Sequence, residues 1–469
     1  MMKKKTEVAA AASPYRTILV TFLGWKVFLL AIAAGSALIG DAYDTSASLA
    51  LLGVSESASA SVSASASSFD STQNNNNTNN GPVAQLITRL SSWDAIYFVS
   101  VARRGYRFEQ EWAFGSGLPV VIRSIIKCLD HLGLTTIGDE TAGREGSSAL
   151  PEAIVGVLVS HAAHLLSALV LYQLSVLVWR RRLHALVASI LHILSPAGLF
   201  LSAPFAESSF ALLSFTGYLL LAKSCHAEQH AARRDVYVVL AGVSFGLATA
   251  FRSNGILNGI PFAWGVVQSL PTLSRRPSDT LRRLVAFGIS GICVAAGLVA
   301  PQAVAYHRYC YAVSPGSDAA VWCHGYLPSI YAYVQEHYWN VGFLRYWTLP
   351  NLPLFLLAGP MLVILTKSGM EHLTPGGPRP HVVDKPAESA RLLALVRSAA
   401  VAQVLLAVLA VSNYHVQIIT RISSGCPLWY CWLADSLISE RKFASRVVMF
   451  MVIYASVQGA LFSSFLPPA

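Results

Sequence analysis

The sequence predicts an all-α polytopic membrane protein, and three observations carry that prediction. Of 469 residues, 54% are hydrophobic and only 12% are charged, half the roughly 25% typical of a soluble globular chain. After a first apolar run at 17–39, long apolar blocks recur at about 151–178, 183–203, 205–223, 236–250, 254–270, 284–305, 351–366, 392–412, 425–439 and 446–466. The excess of Lys and Arg, 34 against 24 acids, falls in short loops between alternate blocks, as the positive-inside rule requires. No basic patch interleaved with aromatics is present, so no nucleic-acid partner is expected.

Taken in order, residues 1–16 carry Lys3, Lys4 and Lys5 and are expected to be a cytosolic N-terminus. The run 17–39 is long enough to span with some tilt, whereas a signal-peptide core has about 7–15 residues, so it reads as a first transmembrane helix and signal anchor. A first lumenal loop follows over 40–150. Within it, 55–81 is Ser/Ala- and Asn-rich and cannot build a core, which predicts a disordered insertion. Asn76-Asn77-Thr78 inside that tract is a glycosylation acceptor and supports the lumenal assignment. The chain reorders before the helices expected over 90–135.

A transmembrane bundle is predicted over 151–305, a second lumenal loop over 306–350, and C-terminal transmembrane helices over 351–469. Arg180 to Arg182, Arg233-Arg234, Arg275-Arg276 with Arg282-Arg283, the stretch 367–391, and Arg441-Lys442 would be cytosolic. Threading in that order gives about 11 spans, with the loops 40–150, 306–350 and 413–424 on one face. Several blocks are shorter than about 17 residues, which fits re-entrant or broken helices. Seven cysteines show no metal spacing. Cys310 and Cys323 share the second lumenal loop, where an oxidising compartment would permit a disulfide; two free thiols are the alternative.

The stretch "SSWDAIYF", Ser91 to Phe98, has two readings. Ser91-x-x-Asp94 resembles a capping box, which would make Asp94 only a helix-start residue. Trp93, Tyr97, Phe98 and Val101 then form the apolar face of an interfacial helix. Alternatively, the same helix start holds a carboxylate where a lipid head group meets water, the place for a general base acting on a lipid-linked hydroxyl. In "RFEQEWAFGSGLP", Glu109 and Glu111 are either surface acids of a turn or carboxylates that contact a sugar or a metal. Ionisable groups inside apolar blocks are rarer and more telling. Glu207 follows Pro204, Arg252 is followed by Asn254, and Arg421 lies near another block end. The guanidinium fork matches phosphate, although snorkelling to lipid phosphate would also place an Arg there. His161, His164 and His192 read as helix-packing groups rather than ligands.

Five segments in order, "WDAIYFVSVARRGY", "RFEQEWAFGSGLP", "LSPAGLFLSAPFAESSFALLSFTGY", "ATAFRSNG" and "YWNVGFLRYW", together resemble the family of the second mannosyltransferase of glycosylphosphatidylinositol (GPI) anchor assembly, its fungal members in particular. The resemblance runs from about Leu90 to Ala434 and skips the Ser/Asn tract. Ser116 stands where the family usually has Pro or Ala, and Phe205 where it usually has Tyr. The resemblance implies a lipid-sugar glycosyltransferase (GT-C type) fold in the endoplasmic reticulum membrane, with its active site lumenal. It further implies dolichyl phosphate mannose as donor, a mannosylated GPI precursor as acceptor, and transfer of an α1,6-linked second mannose with inversion. On that reading Asp94 is the catalytic base. Trp93, Glu109, Glu111, Glu207, Arg252, Asn254 and Arg421 are the expected substrate-binding residues, with Arg252 and Arg421 on the donor phosphate. No cofactor and no obligatory metal are expected: Asp-x-Asp is absent, as is a soluble α/β domain. A small membrane partner subunit is plausible for a fungal member. The competing readings are another transferase using the same donor, a non-catalytic subunit that retains the fold, and, in a different class, a lipid transporter or scramblase, which intramembrane charges and broken helices would also fit.

Overall fold

Residues 13–39, 43–44, 46–47, 51, 81–133, 148–227, 230–312, 320–380 and 385–466 are described by the structure, a computed structural model. The Ser/Asn-rich insertion with its glycosylation triplet, and the N-terminal lysines, lie outside the described residues, Gly81 apart. No strand occurs among the described residues.

The long apolar blocks fold as helices because nothing else satisfies their backbone groups in hydrocarbon. Seven helical segments among the described residues are long and apolar enough to cross a membrane. They belong to α1 (Pro14–Ile39), α5 (Leu150–Trp179), α8 (Ala231–Phe251), α10 (Pro277–Tyr306), α12 (Leu352–Leu373), α13 (Pro386–Asn413) and α16 (Lys442–Ser463). A further 20-residue helix, α7 (Glu207–His226), packs between α5 and α8 but carries more polar residues. Backbone approaches backbone between α8 and α10: a Cβ on Gly297 would collide with the carbonyl oxygen of Gly246. Small residues at such a crossing supply the close packing that lipid cannot drive by hydrophobicity.

The remaining blocks do not become full spans. Block 183–203 yields only α6 (Arg182–Ile193), 254–270 yields α9 (Ile260–Ser269), and 425–439 yields α15 (Pro427–Ile438). Pro196, Pro204, Pro261 and Pro427 sit at or beside the breaks, where the missing N–H and the restricted preceding residue interrupt the helical ladder. The count of about 11 spans therefore drops to seven plus α7, with three irregular segments at 194–206, 252–259 and 414–426. All three contribute to one cleft.

At that same end of the bundle lie the shorter helices α2 (Pro82–Leu90), α3 (Ala95–Arg104), α4 (Gly117–His131), α11 (Ile330–His337) and α14 (Ile419–Ile422). A small core of Trp112, Ala305, Trp322, Ile330 and Val334 joins the two loop regions. Cys310 and Cys323 are bridged there, with Cα atoms 5.6 Å apart. At the opposite end the basic loops form ion pairs, Arg180 with Glu388 and Arg234 with Asp279 among them.

Candidate active site

The first of the cleft's walls is the break between α2 and α3. Ser91 is the C-cap of α2, and the Ser92 hydroxyl donates back to the Arg89 carbonyl at 3.0 Å, so neither serine starts the next helix. Asp94 does occupy the N-cap of α3, but its carboxylate makes no capping hydrogen bond. The capping-box geometry expected of Ser91 and Asp94 is thus not formed. Trp93 explains why. Its φ of 61° is left-handed, a conformation that costs a bulky residue on the order of 1–3 kcal/mol. Its ring is held by stacking on Phe465, with centroids 5.0 Å apart. The turn swings Asp94 out of its own helix and towards the bundle.

There Asp94 Oδ2 accepts from Arg421 Nη1 at 3.0 Å. The Nε of Arg421 donates to Glu207 Oε1 at 2.9 Å, and that oxygen also accepts from Arg252 Nη1 at 2.6 Å. Four residues from four distant parts of the chain form one alternating row, Asp94–Arg421–Glu207–Arg252. Two carboxylates and two guanidiniums balance, which lets the row sit at membrane depth. Exposure grades along it: the Glu207 side chain is 0% exposed, Arg421 12%, Arg252 17% and Asp94 34%.

Local sequence fixes each member. Glu207 is the first residue of α7, just after the Pro204 break. Arg252 ends α8 in an extended conformation before the turn Ser253–Gly259. The guanidinium of Arg421 lies over the rings of Phe200 and Phe205, at 4.1 and 4.9 Å from their centroids, a cation–π shelf. That shelf is pinned from below by buried Lys26 of α1, whose Nζ donates to the Leu201 carbonyl (2.9 Å) and Ser202 Oγ (2.7 Å). Gly115 closes the other side. A Cβ there would overlap the carbonyl oxygen of Phe251, so any side chain must push away the backbone that carries Arg252. Gly115→Ala is therefore expected to cost about 1–3 kcal/mol, lowering the melting temperature in detergent, and to impair any activity that depends on Arg252.

These groups open onto a cleft of about 490 Å³ lined by Trp93, Asp94, Arg252, Asn254 and Arg421 among others. Glu207 lies behind the arginines and does not line it. Nor do Glu109 and Glu111, which are engaged elsewhere. The Glu111 carboxylate pairs with Arg104 and accepts from the backbone N–H of Arg107 (2.7 Å) and Phe108 (3.2 Å), folding its own loop. Glu109 accepts from Trp322 Nε1 (3.0 Å) and the Tyr338 hydroxyl (3.3 Å), strapping the two loop regions together. Asp94 is the single carboxylate lining the cleft, and no three His, Cys, Asp or Glu side chains gather as a metal site would need among the described residues.

Several lining residues escape a sequence reading. Tyr97, Phe114, Tyr331, Gln335 and Trp339 form an aromatic and amide wall, and Tyr414, His415 and Gln417 come from the broken segment after α13. Burial holds the His415 imidazole below its usual range, partly offset by the Asp94 carboxylate, so it is uncharged at neutral pH. The signal for the last three was the polar stretch "SNYHVQ" at the end of one apolar block and before the next.

A partly exposed carboxylate with one guanidinium beside it and a second in the same membrane-end cleft can take a proton and hold an anion at neighbouring points. A family described as mannosyltransferase (PIG-V) matches residues 49–469. A Chaetomium globosum protein named GPI mannosyltransferase 2 is 57% identical, covering 97% of this chain and 96% of that one. Proteins of the same name from Gibberella zeae and Aspergillus oryzae are 44% and 37% identical, each covering 97% of this chain and 98% and 96% of their own length. Among solved structures, the archaeal oligosaccharyltransferase AglB of Archaeoglobus fulgidus aligns with a TM-score of 0.40 at 13% identity, over 94% of this chain and 56% of that one, a likeness too remote to carry an argument. On the strength of matches along nearly its whole length, the chain belongs to the PIG-V mannosyltransferase family.

Proposed function

We propose that this mannosyltransferase adds the second mannose, α1,6-linked, to the GPI precursor, using dolichyl phosphate mannose at the lumenal face of the endoplasmic reticulum membrane. The observation that carries the reading is the row Asp94–Arg421–Glu207–Arg252, with its base and its anion-holding groups opening on one cleft. A β-linked donor and an α-linked product require a single in-line displacement. The acceptor's 6-hydroxyl oxygen bonds to the anomeric carbon from the face opposite the phosphate. The bond from that carbon to the phosphate oxygen breaks, and its electrons leave on dolichyl phosphate. Asp94 takes the hydroxyl proton as general base and returns it to water through the open cleft.

Charge is conserved within the site during this step. Asp94 loses a negative charge as the departing phosphate gains one. Arg421 stands beside Asp94 and, with Arg252, would meet the charge where it arrives, a preorganised electrostatic stabilisation. Glu207 is a positioning residue that sets the two forks, Asn254 and Trp93 contribute wall contacts, and a small membrane subunit is the proposed partner.

The test is expression of this chain in cells lacking their own second GPI mannosyltransferase. Restored surface GPI proteins, with loss of the accumulated single-mannose precursor, is the expected result. Persistence of that precursor despite normal expression, with or without fungal partner subunits, would reject the acceptor assignment.

A further inference from the structure

The cleft has a wall that the charge row does not use. Tyr331, Gln335 and Trp339 are spaced four residues apart along α11 and its C-terminal end, and all three line the cleft. Side chains at such spacing share one helical face. The wall thus runs from Tyr331 and Gln335, about one turn apart on α11, to Trp339 in the turn just past the helix end at His337. Its ends meet different parts of the site. The Tyr331 hydroxyl lies 3.0 Å from Ser253 Oγ, next to Arg252. Trp339 lies edge-on to Phe114, with centroids 5.6 Å apart, and Phe114 stacks on Tyr97 at 4.7 Å. Tyr97 belongs to the helix that Asp94 begins. One end of α11 therefore adjoins the phosphate-holding side and the other adjoins the base.

The wall is also built to stay in place. Gln302 Oε1 accepts from both the Ser329 hydroxyl and the Tyr331 N–H at 3.1 Å, and Ser329 Oγ caps the helix by accepting from the Ala332 N–H. Ile330 and Val334 are fully buried on its reverse side. The Cys310–Cys323 bridge and the Glu109 strap hold the surrounding loop. Within this rigid face the half-buried Gln335 side chain has no hydrogen-bond partner among the described residues, so its amide is available to a ligand.

We propose that the corner formed by Trp339, Phe114, Tyr97 and Gln335 is the subsite for the acceptor glycan, and that it determines which hydroxyl reaches Asp94. The proposal rests on the transferase reading above. Its chemistry is the complement of a sugar: flat aromatic surface for the C–H face, and an amide that can both donate and accept for the hydroxyl edge. None of the four residues is charged, so the corner suits a neutral ring and not the donor phosphate. In-line displacement adds a geometric reason. The attacking oxygen must approach from the side of the anomeric carbon away from the phosphate, which is the base end of α11 rather than its Arg252 end.

The test measures both substrate constants in membranes containing the full chain, using a short-chain polyprenyl phosphate mannose and a single-mannose GPI glycolipid. Trp339→Ala and Gln335→Ala are each expected to raise the acceptor KM by about tenfold or more, with the donor KM within about twofold of wild type; tenfold corresponds to about 1.4 kcal/mol. Trp339→Phe should recover most of the loss. A donor KM that rises in step with the acceptor KM, or an acceptor KM unchanged by both substitutions, overturns the subsite. An unchanged donor KM also shows that the variant is folded, and Gln335→Ala removes no side-chain hydrogen bond among the described residues should Trp339→Ala fail to accumulate. Absence of transfer by wild type itself would instead reject the underlying transferase reading.

Discussion

Asp94→Asn is expected to reduce mannose transfer by roughly 10²–10⁴-fold, the usual contribution of a positioned general base, while the protein accumulates normally. Asn keeps the size of the side chain and can still accept one hydrogen bond from Arg421, but it cannot take the acceptor's proton. Little stability should be lost. The Asp94 carboxylate is 34% exposed on its side of the pair, and partly exposed ion pairs contribute only about 0–1 kcal/mol. The informative measurement is single-turnover transfer alongside donor binding in the same membranes. Intact binding with abolished transfer assigns the proton-taking role to Asp94. Full transfer by Asp94→Asn would remove that role and direct attention to His415, the other cleft residue able to accept a proton when uncharged.

Glu207→Ala should damage a different property. This carboxylate is fully buried and its Oε1 accepts from both arginines of the row. Deleting it leaves Arg252 without its acid partner in the row and Arg421 with Asp94 alone, and breaking a largely buried pair from one side costs about 3–5 kcal/mol. The variant is expected to be lost from membranes, or to melt well below wild type in detergent. Glu207→Gln retains an oxygen acceptor and should fold, with a raised donor KM because the forks are no longer held by a charge. If Glu207→Ala melted with wild type, the ion-pair row would not be what orders Arg252 and Arg421.

How far these features could be read in advance depended on where their information lies. The apolar blocks are local signals, so the spanning helices were legible, but the breaks that shorten α6, α9 and α15 were not, and about 11 spans were read where seven plus α7 form among the described residues. Asp94, Arg252 and Arg421 stood out because charge near hydrocarbon is costly and therefore conspicuous. Their mutual arrangement did not. Asp94 and Arg421 are separated by 327 positions, and no spacing rule reaches across that distance. Glu109 and Glu111 drew attention by the same logic as Asp94, but a carboxylate that ties a loop together looks identical in sequence to one that meets a sugar. Trp339 and Gln335 were hidden for the opposite reason. An aromatic or amide side chain in a loop beside a membrane is ordinary there, and only the fold turns it inward.

The stack of Trp93 on Phe465 bears on how the protein is made. Next to it, Arg89 donates to the Ser463 carbonyl at 3.3 Å and the Tyr43 N–H to that of Ser464 at 3.0 Å. Chains fold largely from the N-terminus forward during synthesis, yet here the turn that carries Asp94 is propped by residues at the end of α16, with Arg89 and Ser463 374 positions apart. The segment around Trp93 must wait, unsupported and strained, until α16 has been inserted. A premature stop shortly before Phe465 would thus yield a chain with every cleft residue present and Asp94 unseated, a defect of maturation that an inspection of the cleft alone would never disclose.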